Sequence, residues 1–324
     1  MKAALAWLRV FRRAAVAAGI VTLLSWTLVE CAPGSTAERA AIASRAFEAS
    51  DSQMPRAVQE SIIESVAERH DLDGHVLVRI GIRLGGLLIL DFGRSWQNEE
   101  PVAGLVLAGP GLRTAMLCLL ALLLALSLGL WGATASARRG RKSTDAAWSF
   151  YAALILSLPI PWLALLAIRT FAYGHPFSIV PPGGLDSVGQ AILPVLLLAS
   201  APTAVIWRHA SEEMRAQNAS DWVLAARARG TQPDRLWRVY ILRSALPTVL
   251  ALIPALLAYL LAASVIVERV FAIEGVGDLL ARAAAAGDAP VLIAAAAISA
   301  ALISLASSGM DVLAGKMDPR REVV

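Results

Sequence analysis

Six stretches of this chain are apolar over enough residues to cross a bilayer, which takes about 20. They fall at roughly 14–29, 114–131, 148–168, 188–207, 248–270 and 290–313. The first is the shortest, and Lys2, Arg9, Arg12 and Arg13 precede it, as in a signal peptide. No small-residue cleavage site of the A-x-A kind follows it closely, and five further spans favour a retained anchor. Residues 30–112 follow a different rhythm. Charges such as Glu38, Arg39, Arg45, Glu48, Glu60, Glu64, Glu68 and Arg69 mix there with Ile42, Phe47 and Val58. Ile62, Ile63 and Val66 recur at helical spacing and predict an amphipathic helix with one buried stripe. The segment reads as a small cap packed on the membrane domain, with direct contact to substrate as the alternative.

Lysine and arginine at the span ends set the sidedness. With the N-terminus inside, the inner side receives the basic head, Arg138-Arg139-Gly140-Arg141-Lys142, the arginine-rich stretch 208–243, and Lys316, Arg320 and Arg321. The outer loop 170–187 has neither residue type, and 271–289 has only Arg282. Arginines in 30–112 do not disturb this assignment, because long segments translocate largely regardless of charge. Six spans with both termini inside satisfy the rule throughout.

Composition agrees: 57% of the residues are hydrophobic and 17% charged, against about a quarter charged in soluble domains. Mean hydropathy is positive. A net charge of +4 is too small to point to nucleic acid. Cys31 and Cys118 suggest neither a disulfide nor a metal cluster, and Glu30 stands where a lipidated Cys31 would need a small residue. The expected fold is all-α: a polytopic membrane protein of six transmembrane helices. Residues 1–30 form the head and first span, 31–112 the periplasmic segment, and 113–324 a five-helix core with a cytoplasmic loop at about 208–247.

That loop is the most informative stretch. Ser220 with Asp221 in the first turn predicts a helix start. Ala225, Ala226 and Ala228 favour the helix, and Arg227 and Arg229 suit its negative end. Gly230 fits the left-handed position that closes many helices. Thr231 with Asp234 resembles a capping box for a second helix, where Pro233 is tolerated in the first turn. Leu236, Val239, Tyr240 and Leu242 then alternate with Arg235, Arg238 and Arg243, and Pro247 marks re-entry into the membrane. Small alanines let such a helix sit close against a partner whose acidic rim would meet the arginines. The plainer reading is a positive loop lying on anionic headgroups.

Ala226-Arg227-Ala228-Arg229-Gly230 followed by Ala245-Leu246-Pro247 resembles the EAA loop of ABC importer permeases. The chain is most similar to the dipeptide/oligopeptide/nickel permease family, in its first-subunit branch. Ala32-Pro33-Gly34 resembles that branch's motif after the first helix, and Asp91-Phe92-Gly93-Arg94-Ser95 its outer-loop motif before the second. Ser157-Leu158-Pro159 with Trp162-Leu163-Ala164 resembles its third span. Glu268, Phe271, Gly275 and Gly277 match an E-x-x-F-x-x-x-G-x-G pattern, and Asp318-Pro319-Arg320 the usual ending. Ser35, Tyr240, Glu274 and the Asp221-Trp222 pair depart from the family's usual residues.

The resemblance implies a permease without catalytic residues. Ala225 through Gly230 would contact a cytoplasmic ATPase and transmit its ATP-driven closure to the spans. Two ATPase subunits, a homologous second permease and a periplasmic solute-binding protein are the implied partners. ATP and Mg would be handled by the ATPases, because the chain carries no G-x-x-x-x-G-K-[ST] phosphate loop. The implied cargo is a short peptide, with nickel as the family alternative. Glu268, Phe271, Gly275 and Gly277 are candidates for an outer gate or binding-protein contact. Pro159, Pro161, Pro194, Pro202 and Pro254 are expected to interrupt their helices and free carbonyls to line a cavity or permit bending, the equal alternative being that membrane helices simply tolerate them; Pro159 and Trp162 are candidates for the path. An intramembrane hydrolase would need a base within a span, yet His70, His75, His175 and His209 all fall outside. A channel or secondary carrier would show charged rings, filter loops or inverted repeats, and no such feature is present.

Overall fold

The structure is a computed structural model of the 324-residue chain. It describes residues 2–33, 35–44, 56–70, 72, 75–139, 142–173, 183–185 and 187–317. Gly34, Arg45, Phe47, Glu48, Gly140, Arg141, His175 and the basic ending with Asp318, Pro319, Arg320 and Arg321 lie outside the described residues. Among the described residues the regular structure is helical, and one isolated bridge joins Arg94 to Pro101.

The helices in chain order begin with α1 (Lys2–Cys31), α2 (Thr36–Ala43), α3 (Arg56–Arg69), α4 (Val76–Gly86), α5 (Val102–Leu107) and α6 (Gly109–Arg139). There follow α7 (Lys142–Ser157), α8 (Ile160–Phe171), α9 (Val188–Asn218), α10 (Asp221–Ala228) and α11 (Pro233–Arg235). A π-helical turn, Leu236–Ile241, leads into α12 (Leu242–Val270), and α13 (Val276–Ala286) and α14 (Ala289–Met317) complete the chain. Among the described residues five helical runs are long and apolar enough to cross a membrane: Trp7–Cys31, Val102–Arg138, Val188–Asn218, Pro233–Val270 and Ala289–Leu313.

A sixth span exists only if α7 and α8 count as one, and they meet at a bend of 105°. At 1.5 Å per residue each is shorter than a ~30 Å hydrocarbon core. The break falls at Pro159, which adopts φ −63° and ψ 132° as the N-cap of α8, with Pro161 in the next turn. Two prolines this close strip adjacent amide donors and force the preceding residue toward extended backbone. The other prolines correct the expectation of interrupted helices. Pro194 and Pro202 lie inside α9, and Pro247 and Pro254 inside α12. Isolated prolines cost one hydrogen bond each, which packing against neighbouring helices tolerates. Pro247 does not end a helix: α12 runs on through it.

The chain divides into two compact units, one built from residues 3–114 with 274–305 and the other from 115–273 with the residues from 306 on. In the first unit, Val66 and Ala67 of α3 are buried with Trp26, Ala40, Ala41 and Trp96, and Ile62 and Ile63 pack against them. This is the stripe that the spacing predicted. The Trp26 and Trp96 rings meet edge-on at 6.4 Å. Asp288, 2% exposed, fastens the following turn. Its carboxylate accepts from the Ser95 hydroxyl at 2.5 Å and the Trp96 amide at 3.1 Å.

In the second unit, small residues let helices approach closely. A Cβ on Gly129 would lie 2.7 Å from Ile206, and one on Gly132 only 2.3 Å from the Trp148 ring. Trp148 stacks on Trp207 at 6.0 Å and meets Trp131 and Tyr151 edge-on. Trp207 donates its indole N–H to Ser136 at 3.1 Å. Ser187 and Gln190 form a reciprocal capping box that starts α9, so its first amides are satisfied without neighbours.

Candidate functional site

The stretch from α9 to α12 in the second unit forms the elbow that the sequence outlines. Asp221 sits in the first turn of α10 and Arg227 in the last, matching the helix dipole. Ser220 holds the N-cap position but does not cap; its hydroxyl turns back to the Gln217 carbonyl at 2.5 Å. Gly230 adopts φ +81°. Its amide donates to Arg227 O at 2.9 Å, and the Thr231 amide to Ala226 O at 3.1 Å. These are the two bonds of a Schellman closure. The second helix starts one residue later than its apparent capping box: Gln232, not Thr231, is the N-cap, with Pro233 at the first position. Asp234 is drawn instead into an ion pair with Arg138, which leaves no role for it in a box.

The two faces of α10 differ. Val223 is fully buried and Ala226 is 8% exposed, packed with Met214, Leu236, Trp237 and Ile241. The opposite face carries Asp221, Leu224, Ala225 and Ala228, spaced three and four residues apart and all exposed. Leu224 is 67% exposed, which on a soluble surface would be unfavourable for so large an apolar side chain. Beside it stand the exposed Trp222 and Tyr240, whose rings are 6.2 Å apart. Trp222 is steadied by its indole N–H donating to Gln217 at 3.1 Å, and Arg227 by Asn218 at 2.5 Å. Arg229, Arg235, Arg238 and Arg243 are exposed around the elbow. Of the six residues singled out, Ala225, Arg227, Ala228, Arg229 and Gly230 therefore face outward, while Ala226 holds α10 to its own chain. Leu224 and Trp222 were not singled out; their three-and-four spacing with Ala225 and Ala228 was the available signal.

The candidate gate residues fall in both units. In the second, Glu268 is fully buried in α12 and Phe271, 3% exposed, ends that helix. The Phe271 carbonyl accepts from the Gly184 amide at 2.9 Å. In the first unit, Gly275 is the extended N-cap of α13 (φ −104°, ψ −173°) and Gly277 is buried inside that helix. The two glycines thus stand at the start of a helix. Glu274 of the same unit pairs with Arg113 at 2.9 Å. Pro159 and Trp162 are both exposed on the α8 side of the break.

Comparison with known proteins places this geometry in a family. Residues 125–323 match the family described as binding-protein-dependent transport system inner membrane component. The dipeptide transport system permease protein DppB of Lactococcus lactis is 30% identical over 260 residues, covering 80% of this chain and 84% of the relative. The oligopeptide transport system permease protein AppB of Bacillus subtilis is 27% identical over 313 residues, 93% of this chain and 94% of that protein. The metal-staphylopine import system permease protein CntB of Staphylococcus aureus is 26% identical over 264 residues, 81% and 83% of the two chains. The apolar spans are thus those of a membrane transport component. The chain belongs to the inner-membrane components of binding-protein-dependent transport systems: it is a multi-pass permease subunit that works with a solute-binding protein and an ATPase.

Proposed function

We propose that this permease imports short peptides and is driven through the outward face of α10. The reading is supported by one observation above the others: a short helix, closed by a glycine corner, presents Leu224, Ala225 and Ala228 to solvent beside two exposed aromatic rings. An apolar knob of that kind is stable when a groove on a partner covers it. The partner is a cytoplasmic ATPase dimer that binds ATP and Mg, and a homologous permease completes the pathway. The sequence carries no G-x-x-x-x-G-K-[ST] phosphate loop, in keeping with ATP being handled by the ATPase partner. Both termini lie on the ATPase side, in keeping with the arginines around the elbow. Peptide cargo is supported by the dipeptide and oligopeptide permeases among the relatives. The metal-staphylopine relative supports a second reading, uptake of a small metal chelate. Glu268, Phe271, Gly275 and Gly277 are proposed at the outer gate, and Pro159 and Trp162 along the path.

Ala226 is packed inward, so a charge there would disrupt folding before it tested docking. Leu224→Glu with Ala228→Glu tests the exposed face instead. The double variant should insert at wild-type levels, lose peptide uptake by about a hundredfold, as expected when charge meets an apolar hot spot, and release the ATPase from the membrane. Wild-type uptake by that variant would remove the coupling role. Growth of a deletion strain on peptides and on nickel separates the two cargo readings.

A further inference from the structure

The Asp91-Phe92-Gly93-Arg94-Ser95 stretch has no part in coupling, yet it walls a cleft of about 390 Å³ in the first unit. We propose that this cleft binds a carboxylate, and that the ligand is the C-terminal carboxylate of a short peptide. The choice of peptide rests on the cargo reading above; the carboxylate chemistry does not.

Among the described residues four guanidiniums, Arg69, Arg79, Arg83 and Arg94, line the cleft with the Asp91 carboxylate and His70. They do different work. Arg79 is a buried strut: it pairs with Glu30 at 2.8 Å, and the two side chains are 13% and 12% exposed. It also donates to the Thr36 hydroxyl and the Leu72 carbonyl. Arg83 lies deeper than the rim, donating to the His70 carbonyl at 2.8 Å with its guanidinium 5.3 Å from the Trp26 ring centroid. Glu30 thereby neutralises Arg79, and both arginines are fixed in place as the inner wall of the cleft.

Arg69 and Arg94 stand at the mouth, and both lean on one residue. Arg69 pairs with the Glu99 carboxylate at 2.9 Å, with both side chains more than half exposed. Arg94 donates to the Glu99 carbonyl at 3.1 Å. An ion pair exposed to that degree contributes little, so exchanging it for an entering carboxylate costs little. Planar guanidiniums bind carboxylates in two-pronged fashion, which a lysine cluster would not offer.

Two glycines build the walls. Gly93 has φ +80°, and a Cβ there would fall 2.0 Å from Nη1 of Arg83. On Gly86 a Cβ would lie 2.4 Å from the Asp91 carbonyl oxygen. Any side chain at either position would displace the arginine or the loop. The Asp288 carboxylate holds Ser95, the residue after Arg94, so the loop is anchored before a ligand arrives. Preorganisation of this kind lowers the entropy lost on binding.

The cleft's size is at the lower end of small-molecule pockets, about 300–1,000 Å³, which suits a short peptide better than a protein surface. Asp91 is exposed at the rim, where it would meet an ammonium group. Arginines beside an acid fit a zwitterion whose carboxylate meets Arg69 and Arg94, and exposed Ile82 offers an apolar wall for a side chain.

The test uses the assembled transporter in lipid nanodiscs with trialanine, its C-terminal amide and sodium acetate as probes. Phenylglyoxal modification of Arg94 is read by mass spectrometry. Trialanine and acetate should slow modification at least about fivefold, and the amide should not, because loss of a charged hydrogen bond weakens binding by about tenfold or more. In uptake, Arg69→Gln with Arg94→Gln should raise the KM for trialanine about tenfold with the maximal rate kept. Equal protection by acid and amide, protection by neither, or protection only by the solute-binding protein would overturn the inference. If the wild type imports nickel chelates and no trialanine, the peptide reading itself fails, and the peptide ligand with it.

Discussion

The second unit contains two corners of the same design, and the difference between them is instructive. One follows α10: Gly230 at φ +81°, with bonds of 2.9 and 3.1 Å back to Arg227 and Ala226. The other follows α12: Ala272 at φ +50°, with bonds of 3.5 and 2.8 Å back to Arg269 and Glu268. A left-handed conformation costs an L-residue about 1–2 kcal/mol, and glycine almost nothing. At the α12 corner the neighbouring Phe271 and Ile273 are 3% and 1% exposed, so packing holds the alanine in place. At the α10 corner Gly230 and its neighbours Arg229 and Thr231 are not buried, and nothing lies within 4 Å of a Cβ built on Gly230. Where tertiary packing is present it overrides backbone preference. Where it is absent, the residue type must supply the conformation itself.

The comparison breaks most severely if the packing is removed. Ile273→Asp would bury an uncompensated charge beside a strained corner, at about 3–5 kcal/mol, and should abolish the folded peak in size-exclusion chromatography. Thr231→Asp, at the matching position of the exposed corner, should leave that peak intact. If both variants fold equally well, packing does not hold the Ala272 corner. A residue exchange gives a smaller effect of opposite sign at the two sites. Ala272→Gly should stabilise and Gly230→Ala destabilise, each by about 1 kcal/mol, read as shifts of the thermal midpoint in detergent. The smallest effect lies with acid. Burial, the first cause, lowers the His70 imidazole from its ordinary value in the first unit, with Arg83 and Arg69 adding to it against Glu99 and Asp288. The folded state therefore prefers neutral His70, and that contribution is complete above about pH 6.5 and is lost as pH falls below it. The wild-type midpoint should drop between pH 7.5 and 5.5, His70→Gln should flatten the drop, and Gly230→Ala should leave its slope unchanged.

Much of this architecture could be read from residues. Long apolar runs mark the spans because no other element satisfies its own backbone in lipid. Gly230 was legible as a corner because an isolated glycine after an alanine-rich turn has few other uses. Ala272 was not, since nothing in an alanine announces a positive φ. Proline was ambiguous for a physical reason: whether it breaks a helix depends on neighbours that compensate the lost bond. Pro159 and Pro161 together end one helix, while Pro194 and Pro254 singly do not. In the candidate site the helix and its polarity were legible, but not which side turns inward. Eight residues hold barely two turns, and the burial of Ala226 is decided by Met214 and by the π-helical turn with Trp237. The Glu99-bridged arginines were likewise beyond the sequence, because Arg69 and Glu99 are thirty positions apart.

The uninterrupted run from Pro233 to Val270 has a mechanical consequence. No break in the helix falls at Pro247, so the stretch beside α10 and the far end of the fifth span belong to one run of 38 residues, roughly 57 Å at the usual helical rise. Tilting such a lever by about 5° about one tip sweeps the other through about 5 Å, close to the pitch of one helical turn. A nudge at the elbow smaller than a side chain's width is thus magnified along the span to the extent that the run moves as one body.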